Sequence, residues 1–337
     1  MTSISTVRVV PTVSIHDGIE GSAELDQTET VICMTAMDAQ CSQVATASVD
    51  STDAPSLSDS TAPLSEQITT IEPRHGWQRI DLSGLWRYRD LLWFLMLRDV
   101  QVRYKQTVLG AAWAIIQPLA MMAVASVFFG RLLGVAAKVS VPYPIFFFSG
   151  MLAWTFFSGA VAAASMSLVN NAPMLRKIYF PRLIVPIASI GVPAIDLIVS
   201  ALVLVAMMVW YDVPVTAQLA LLPLLSLTML IAALGVGLLL SALNVAYRDF
   251  RYVVPFMLQL WFFVTPVIFP VTIVPPQWQW LLQLNPMGGT IEAFRAAVLG
   301  TTVNYSAWAL STLASCVLLF LGLIYFHRTE RRFADVV

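Results

Sequence analysis

The sequence predicts an all-α integral membrane protein: six transmembrane helices, an amphipathic interface helix ahead of the first, and a re-entrant external hairpin between the fifth and sixth. Three observations carry this. The 337 residues are 58% hydrophobic with a mean hydropathy of +0.76, well above the roughly 45 to 50% apolar content of a soluble domain. The apolar residues gather into runs long enough to cross a bilayer. Finally, the run RDVQVRYKQTVLGAAWAIIQPL, Arg98 to Leu119, passes from a basic amphipathic segment straight into an apolar span.

The first 80 residues are different in kind. Met1 to Ile80 holds eleven Asp and Glu against three Lys and Arg, is rich in Ser and Thr, and shows no sustained period. Such a composition cannot bury enough apolar surface to offset chain entropy, so residues 1–80 are read as a disordered cytoplasmic extension. The short run Val7 to Val10 is broken by Pro11 and is too short for the apolar core of a signal peptide. Residues 81–106 follow as an amphipathic cytoplasmic interface helix. Leu85, Leu92, Trp93, Leu95 and Met96 alternate there with Arg87, Arg89, Asp90, Arg98 and Asp99, as in helices that lie in the headgroup plane.

Six apolar runs come next: Leu109 to Gly130, Pro144 to Val169, Leu183 to Trp210, Leu219 to Leu243, Val253 to Phe269, and Ala307 to Phe326. Between the last two, Trp278 to Leu284 and Thr290 to Leu299 flank the breaker Asn285-Pro286-Met287-Gly288-Gly289. Each piece falls far short of the roughly 20 residues that a crossing needs, so together they predict a hairpin that enters and leaves on one face. Thirteen Lys and Arg flank the proposed cytoplasmic ends against three (Arg131, Lys138, Arg295) on the other side, which predicts both termini in the cytoplasm.

Two connections on the basic side stand out. NNAPMLRKIYFPR, Asn170 to Arg182, joins Arg176, Lys177 and Arg182 to the apolar triplet Ile178, Tyr179, Phe180. ALNVAYRDFRYVVP, Ala242 to Pro255, repeats the recipe with Arg248 and Arg251 among Tyr247, Phe250 and Tyr252. A plain turn needs positive charge but no exposed aromatics, so these loops are expected to dock a protein partner. Polar residues inside the apolar runs are the other candidates. Gln117, Trp154 and Asp196 could line a passage, although Asp196 could equally be a structural carboxylate bonded to a neighbouring helix. Glu292 and Arg295 are three apart on one helical face and predict a local ion pair.

The motifs that do not occur narrow the chemistry. The chain has no G-x-x-x-x-G-K-[ST] phosphate loop, and His16, His75 and His327 are scattered outside the spans. No catalytic residue, metal site or bound cofactor is predicted, and nothing points to nucleic acid. Cys33, Cys41 and Cys316 read as reduced thiols.

The segments RYRDLLWFLMLRDVQVRYKQTVLGAAWAIIQPL, SGMLAWTFFSGA, LRKIYFPR, LSALNVAYRDFRYVVPF, LQLWFFVTPVIFP and LNPMGGTIEAFRAAVLG together resemble the permease of polysaccharide and polyol-phosphate exporters, which are type-2 ABC transporters. The resemblance covers about Leu85 to Phe333, makes residues 107–333 the transporter's transmembrane domain, and leaves the first 80 residues without a counterpart. It implies a half-transporter in a bacterial inner membrane: two permease copies with two copies of a separate ABC-type ATPase that uses ATP and Mg. It further implies that the interface helix (Arg98, Arg103) and the basic loops (Arg176, Lys177, Tyr179, Phe180, Arg182, Arg248, Arg251) couple to that ATPase. The hairpin residues Asn285, Pro286, Gly288, Glu292 and Arg295 would sit at the outer face, and the substrate would be a lipid-linked glycan, O-antigen or lipopolysaccharide precursor first of all. Two other readings stay open on the residues alone. One is an exporter of a drug, lipid or other small amphiphile; the other is a membrane glycosyl- or prenyl-transferase, for which the isolated Asp99, Asp249 and Asp196 are a poor acid cluster.

Overall fold

The computed structural model describes residues 86–105, 112–177 and 180–330. The acidic extension, Tyr179 and the residues after Glu330 lie outside them. Eleven α-helices are described: α1 (Arg89–Lys105), α2 (Ala112–Ala125), α3 (Tyr143–Asn170), α4 (Ala172–Lys177), α5 (Ile184–Ser189), α6 (Gly191–Trp210), α7 (Leu222–Ala246), α8 (Phe250–Val264), α9 (Pro276–Leu284), α10 (Gly288–Leu299) and α11 (Tyr305–Glu330). No strand occurs among the described residues. Five helical stretches are long and apolar enough to cross a membrane: Ile115–Leu132, Tyr143–Asn170, Ile184–Trp210, Ala217–Ala246 and Tyr305–Glu330.

The fifth apolar run of the sequence is shorter as a helix than its composition predicts. α8 has 15 residues and ends at Val264, about 22 Å at 1.5 Å per residue. Proline explains the stop. Pro266 disfavours helical backbone at the residue before it, and Thr265 is extended at ψ 140. The third run is interrupted as well, into α5 and α6 with a turn at Ile190. Pro193 lacks the amide that would bond to the carbonyl of Ser189, and its ring crowds that carbonyl.

α3 is the buried axis of the bundle. Of the spanning stretches its window is the most buried, at 78%, against 17% for α2. It packs against α5, α6, α7 and α10, with Phe147, Phe148, Leu152 and Phe157 enclosed. Lipid removes the hydrophobic drive for helix association, so close approach through small residues takes over. α7 and α11 show this directly. A Cβ added to Gly235 would lie 2.6 Å from the Leu319 amide nitrogen, and one on Gly322 would lie 2.5 Å from the Gly235 carbonyl oxygen. Any larger side chain at either position would force the two helices apart.

The chain doubles back so that several ends meet at one pole. Leu95 of α1, Leu168 of α3, Phe180, Ile184 of α5, Val245 of α7 and Phe326 of α11 form one buried cluster. Arg182 donates to the Glu330 carbonyl at 2.5 Å. Three residues separate α7 from α8, and four residues past the end of α8 the Ile268 carbonyl accepts the Tyr143 hydroxyl, at the start of α3, at 2.9 Å. α8 therefore runs from the pole of that cluster to the opposite one despite its length. α1 starts four residues later than residue 85, where the amphipathic pattern begins, and packs along α5 and the first turns of α6.

Candidate coupling pole and hairpin

At the pole that gathers the basic loops, α1 is tied to the bundle by two polar contacts. Arg98 donates to Asp99 Oδ1 at 2.7 Å and, through the same Nη2, to Asn171 Oδ1 at 2.7 Å. Asn171 follows the last turn of α3 and uses its amide to bond the Ser167 carbonyl at 2.9 Å. Its backbone amide donates to the same carbonyl at 3.1 Å, so the side chain is fixed on that helix end while it holds α1. Further along α1, Arg103 Nη2 lies 2.9 Å from Asp196 Oδ2, and the Tyr104 hydroxyl donates to Asp196 Oδ1. The carboxylate that the sequence offered as a passage residue or a structural bond is engaged on both oxygens, by α1. Partial burial first, and then the bond to Asp196, push the Tyr104 phenol up to about 12, so it stays a donor at any physiological pH.

The basic loops divide into exposed and buried parts. Arg176 and Lys177 are exposed in the last turn of α4, where positive charge also complements the helix C-terminus. Arg248 and Arg251 are exposed with Tyr247 and Tyr252 beside them. Phe180, expected on an exposed apolar patch, is instead 4% exposed within the cluster that includes Leu95 and Phe326. It precedes Pro181, and the cluster's apolar walls give its ring a better environment than water. Tyr179 is outside the described residues.

Gln117 and Trp154 are not brought together. Gln117 is exposed on α2, next to a buried Pro118. Trp154 is 4% exposed, its ring centroid 5.5 Å from Phe157 and 5.7 Å from Phe262. Within this chain it is a core aromatic and presents no face to a passage. The same aromatic group continues to the hairpin, since Phe157 meets Trp261 edge-on at 5.2 Å and Trp261 Nε1 donates to Asn285 Oδ1 at 3.1 Å.

The hairpin is α9, nine residues, and α10, twelve. Neither is long enough to cross. Asn285 organises the break between them. Its oxygen also accepts the Met287 amide at 3.1 Å, and its nitrogen donates to Thr265 Oγ1 at 2.9 Å. Ser311 of α11 completes the clasp: its hydroxyl donates to the carbonyls of Gln283 and Asn285, each at 2.8 Å, and accepts the Gly289 amide at 2.9 Å. Pro286 is buried, and Gly288 backs directly onto the Leu282 carbonyl.

Arg295 departs from the expected ion pair with Glu292. Its guanidinium donates to the carbonyls of Phe146 (3.2 Å), Pro266 (3.0 Å) and Val267 (2.9 Å) and lies 3.8 Å from the Phe146 ring centroid. The carbonyls beyond the end of α8 have no helical partner, and this cation meets them. Room for it comes from Gly150, where any Cβ would collide with Arg295 Nη2. Glu292 is left half-buried beside it. The i,i+3 spacing indicates an ion pair only while both side chains face water, and α10 is buried along almost its whole length. Asn285 and Glu292 were visible as candidates in the sequence, whereas Tyr104, Gly150, Ser311 and the carbonyls of Pro266 and Val267 were not. Ser311 and Gly150 look like ordinary small residues of apolar helices, and only the packing gives them partners.

These features define a helical membrane-protein body with two short clasped helices and a basic pole. Residues 90–299 match the ABC-2 type transporter family, and the chain belongs to it. Among similar proteins, the O-antigen export system permease protein RfbA of Klebsiella pneumoniae is 26% identical over 250 residues, 74% of this chain and 95% of the relative. RfbA of Myxococcus xanthus is 29% identical over 215 residues, 63% and 81% respectively. The polysialic acid transport protein KpsM of Escherichia coli is 25% identical over 248 residues, 70% and 92%.

Proposed function

We propose that this chain is the membrane-spanning subunit of an ATP-driven exporter and that its cargo is a lipid-linked polysaccharide, an O-antigen or lipopolysaccharide precursor first of all. The observation that carries the reading is the alignment to 95% of the length of a relative named for O-antigen export, with a second group named for polysialic acid transport. Hydrolysis is assigned to a separate ABC-type ATPase in two copies, because the sequence has no phosphate loop; ATP and Mg belong to that partner. Arg98, Arg103, Arg176, Lys177, Arg182, Arg248 and Arg251 would face or position it, with Tyr247 and Tyr252 as its aromatic contacts. Support for this comes from the exposed side chains of Arg176, Lys177, Arg248 and Arg251.

In this reading α8 makes a sixth crossing, completed by the turn residues after Val264, and the thirteen-to-three charge bias sets the basic pole in the cytoplasm of a bacterial cell. A second copy covers the apolar faces of α2, of the π-helical turn Ser126–Leu132 that continues it, and of α8, where Trp113, Phe128, Phe256 and Phe263 are exposed, and the glycan passes between the copies. Deleting the gene should abolish surface polymer and leave lipid-linked polymer inside the cell. Single cysteines at Lys138 and Asp249 should label from opposite faces. Normal surface glycan in the null strain, with new sensitivity to a small amphiphile, would replace the polymer by a drug or lipid as cargo. Charge reversal at both Arg176 and Lys177 should weaken the ATPase association; unchanged assembly and export would remove α4 from the coupling surface.

A further inference from the structure

A groove of about 690 Å³ runs along α6 towards its C-terminal end, away from the α1 contact. It is lined by Ala201, Leu204 and Met208 of α6, by Leu222 and Ser226 of α7, and by Phe294 and Val298 of α10. Ile198, Val205 and Val209 border it and are exposed, so it opens on the flank of a helix of spanning length, where the surrounding phase is hydrocarbon. Its only polar side chains are Ser226 and Asp212. A sugar would find almost no hydrogen-bond partner along such a wall, and each buried hydroxyl would cost free energy. An alkyl chain loses nothing there.

Length and charge select the occupant further. The lining positions on α6, from Leu197 to Val209, rise about 18 Å along the helix, most of the length of one extended fatty-acyl chain. Asp212 closes the groove at the end of α6, where its backbone takes a left-handed turn at φ 51. The residue is exposed, and no Lys, Arg or His lies within ion-pair distance of it among the described residues. A carboxylate at the mouth of a hydrocarbon slot complements a cationic hydrogen-bond donor and repels an anion.

We propose that this groove is a binding site for a bilayer phospholipid with a primary-ammonium headgroup, one acyl chain lying along α6 and the ammonium on Asp212. The acyl chain would touch Phe294, the neighbour of Arg295, so an occupied groove braces the hairpin from the lipid side. The site is independent of the cargo assigned above.

The test uses the purified full chain in nanodiscs with a phosphatidylethanolamine carrying a diazirine midway along one acyl chain, followed by photolysis and peptide mapping. Adducts should concentrate on residues 197–213, 219–226 and 294–298. Ala201→Trp and Ser226→Trp, which fill the groove from opposite walls, should each lower that labelling at least about five-fold, about 1 kcal/mol of binding, with elution volume and unfolding temperature unchanged. Asp212→Asn should weaken competition by unlabelled phosphatidylethanolamine by a similar factor and leave competition by phosphatidylcholine and phosphatidylglycerol unchanged. If the tryptophan variants fail to fold, the Asp212→Asn competition decides alone. Adducts spread over α2, α8 and α11 in proportion to exposure would overturn the proposal, as would headgroup-blind competition. Competition by a polyprenyl phosphate in place of phosphatidylethanolamine would also overturn it and make the groove a cargo-lipid site.

Discussion

Arg103 and Arg295 each tie a peripheral element to the bundle, α1 in one case and α10 in the other, and they do so by different chemistry. Arg103 has a carboxylate partner, yet its side chain is 55% exposed and that of Asp196 23%. An ion pair so wetted contributes about 0.2 to 1 kcal/mol. Arg295 has no carboxylate bonded to it and is 6% exposed, but three backbone carbonyls and an aromatic face surround its cation. Hydrogen bonds from a charged donor contribute about 1.5 to 3 kcal/mol each, and a carbonyl orphaned in an apolar site costs its desolvation besides. The comparison separates a fixed joint from an adjustable one. The buried cation holds the hairpin firmly on α3 and on the residues after α8, whereas the wetted pair adds little to the hold of α1 on α6.

The sharpest way to break the comparison is Arg295→Met. It leaves the Pro266 and Val267 carbonyls unpartnered and should destabilise the protein by at least about 3 kcal/mol, read as a large fall in unfolding temperature in detergent. A loss comparable with that from breaking the α1 contact would put the two joints in one class. Gly150→Ala comes next. Its added methyl occupies the place of Arg295 Nη2, so overpacking of about 1 to 3 kcal/mol is expected, and the same change in an Arg295→Met background should cost less.

Smaller still in stability, but larger in export, should be Arg103→Glu. It reverses the contact with Asp196 and should lower unfolding temperature only slightly, for a change of about 1 kcal/mol, while cutting export several-fold. Restoring opposite charges with Asp196→Arg in the same chain should recover export in part; no recovery in the swapped pair would mean that export does not depend on this contact. The smallest effect belongs to Tyr104→Phe, and its signature is pH. The fold raises the phenol to about 12 from an ordinary value of 10.0, so it favours the neutral donor. Its contribution is complete below about pH 10 and is lost as pH rises through about 12. The difference in unfolding temperature between the parent and Tyr104→Phe should be constant from pH 7 to 9.5 and close above that. A gap that widened with pH would mean the phenol is held ionised.

Much of this was legible before any coordinates. Five apolar runs and the short helices on either side of the break lie where hydropathy puts them, because lipid forces each backbone amide of a span into its own helix and so makes long apolar runs helical whatever surrounds them. Proline and glycine placed the break at Asn285 to Gly289 for the same local reason. The fifth run was misjudged in length because composition reports solvent and ignores Pro266, which ends the helix although Val267 and Ile268 are as apolar as what precedes them. The partners of the polar residues belonged to the tertiary structure alone. Asp196 found Arg103 and Tyr104, 93 and 92 positions away in the chain; Arg295 turned from Glu292 to carbonyls; Phe180 and Trp154 turned inward. In an apolar sequence the few polar and aromatic side chains satisfy themselves wherever packing brings a complementary group within about 3 Å, and that distance is set by helices meeting across the bundle, which no local pattern records.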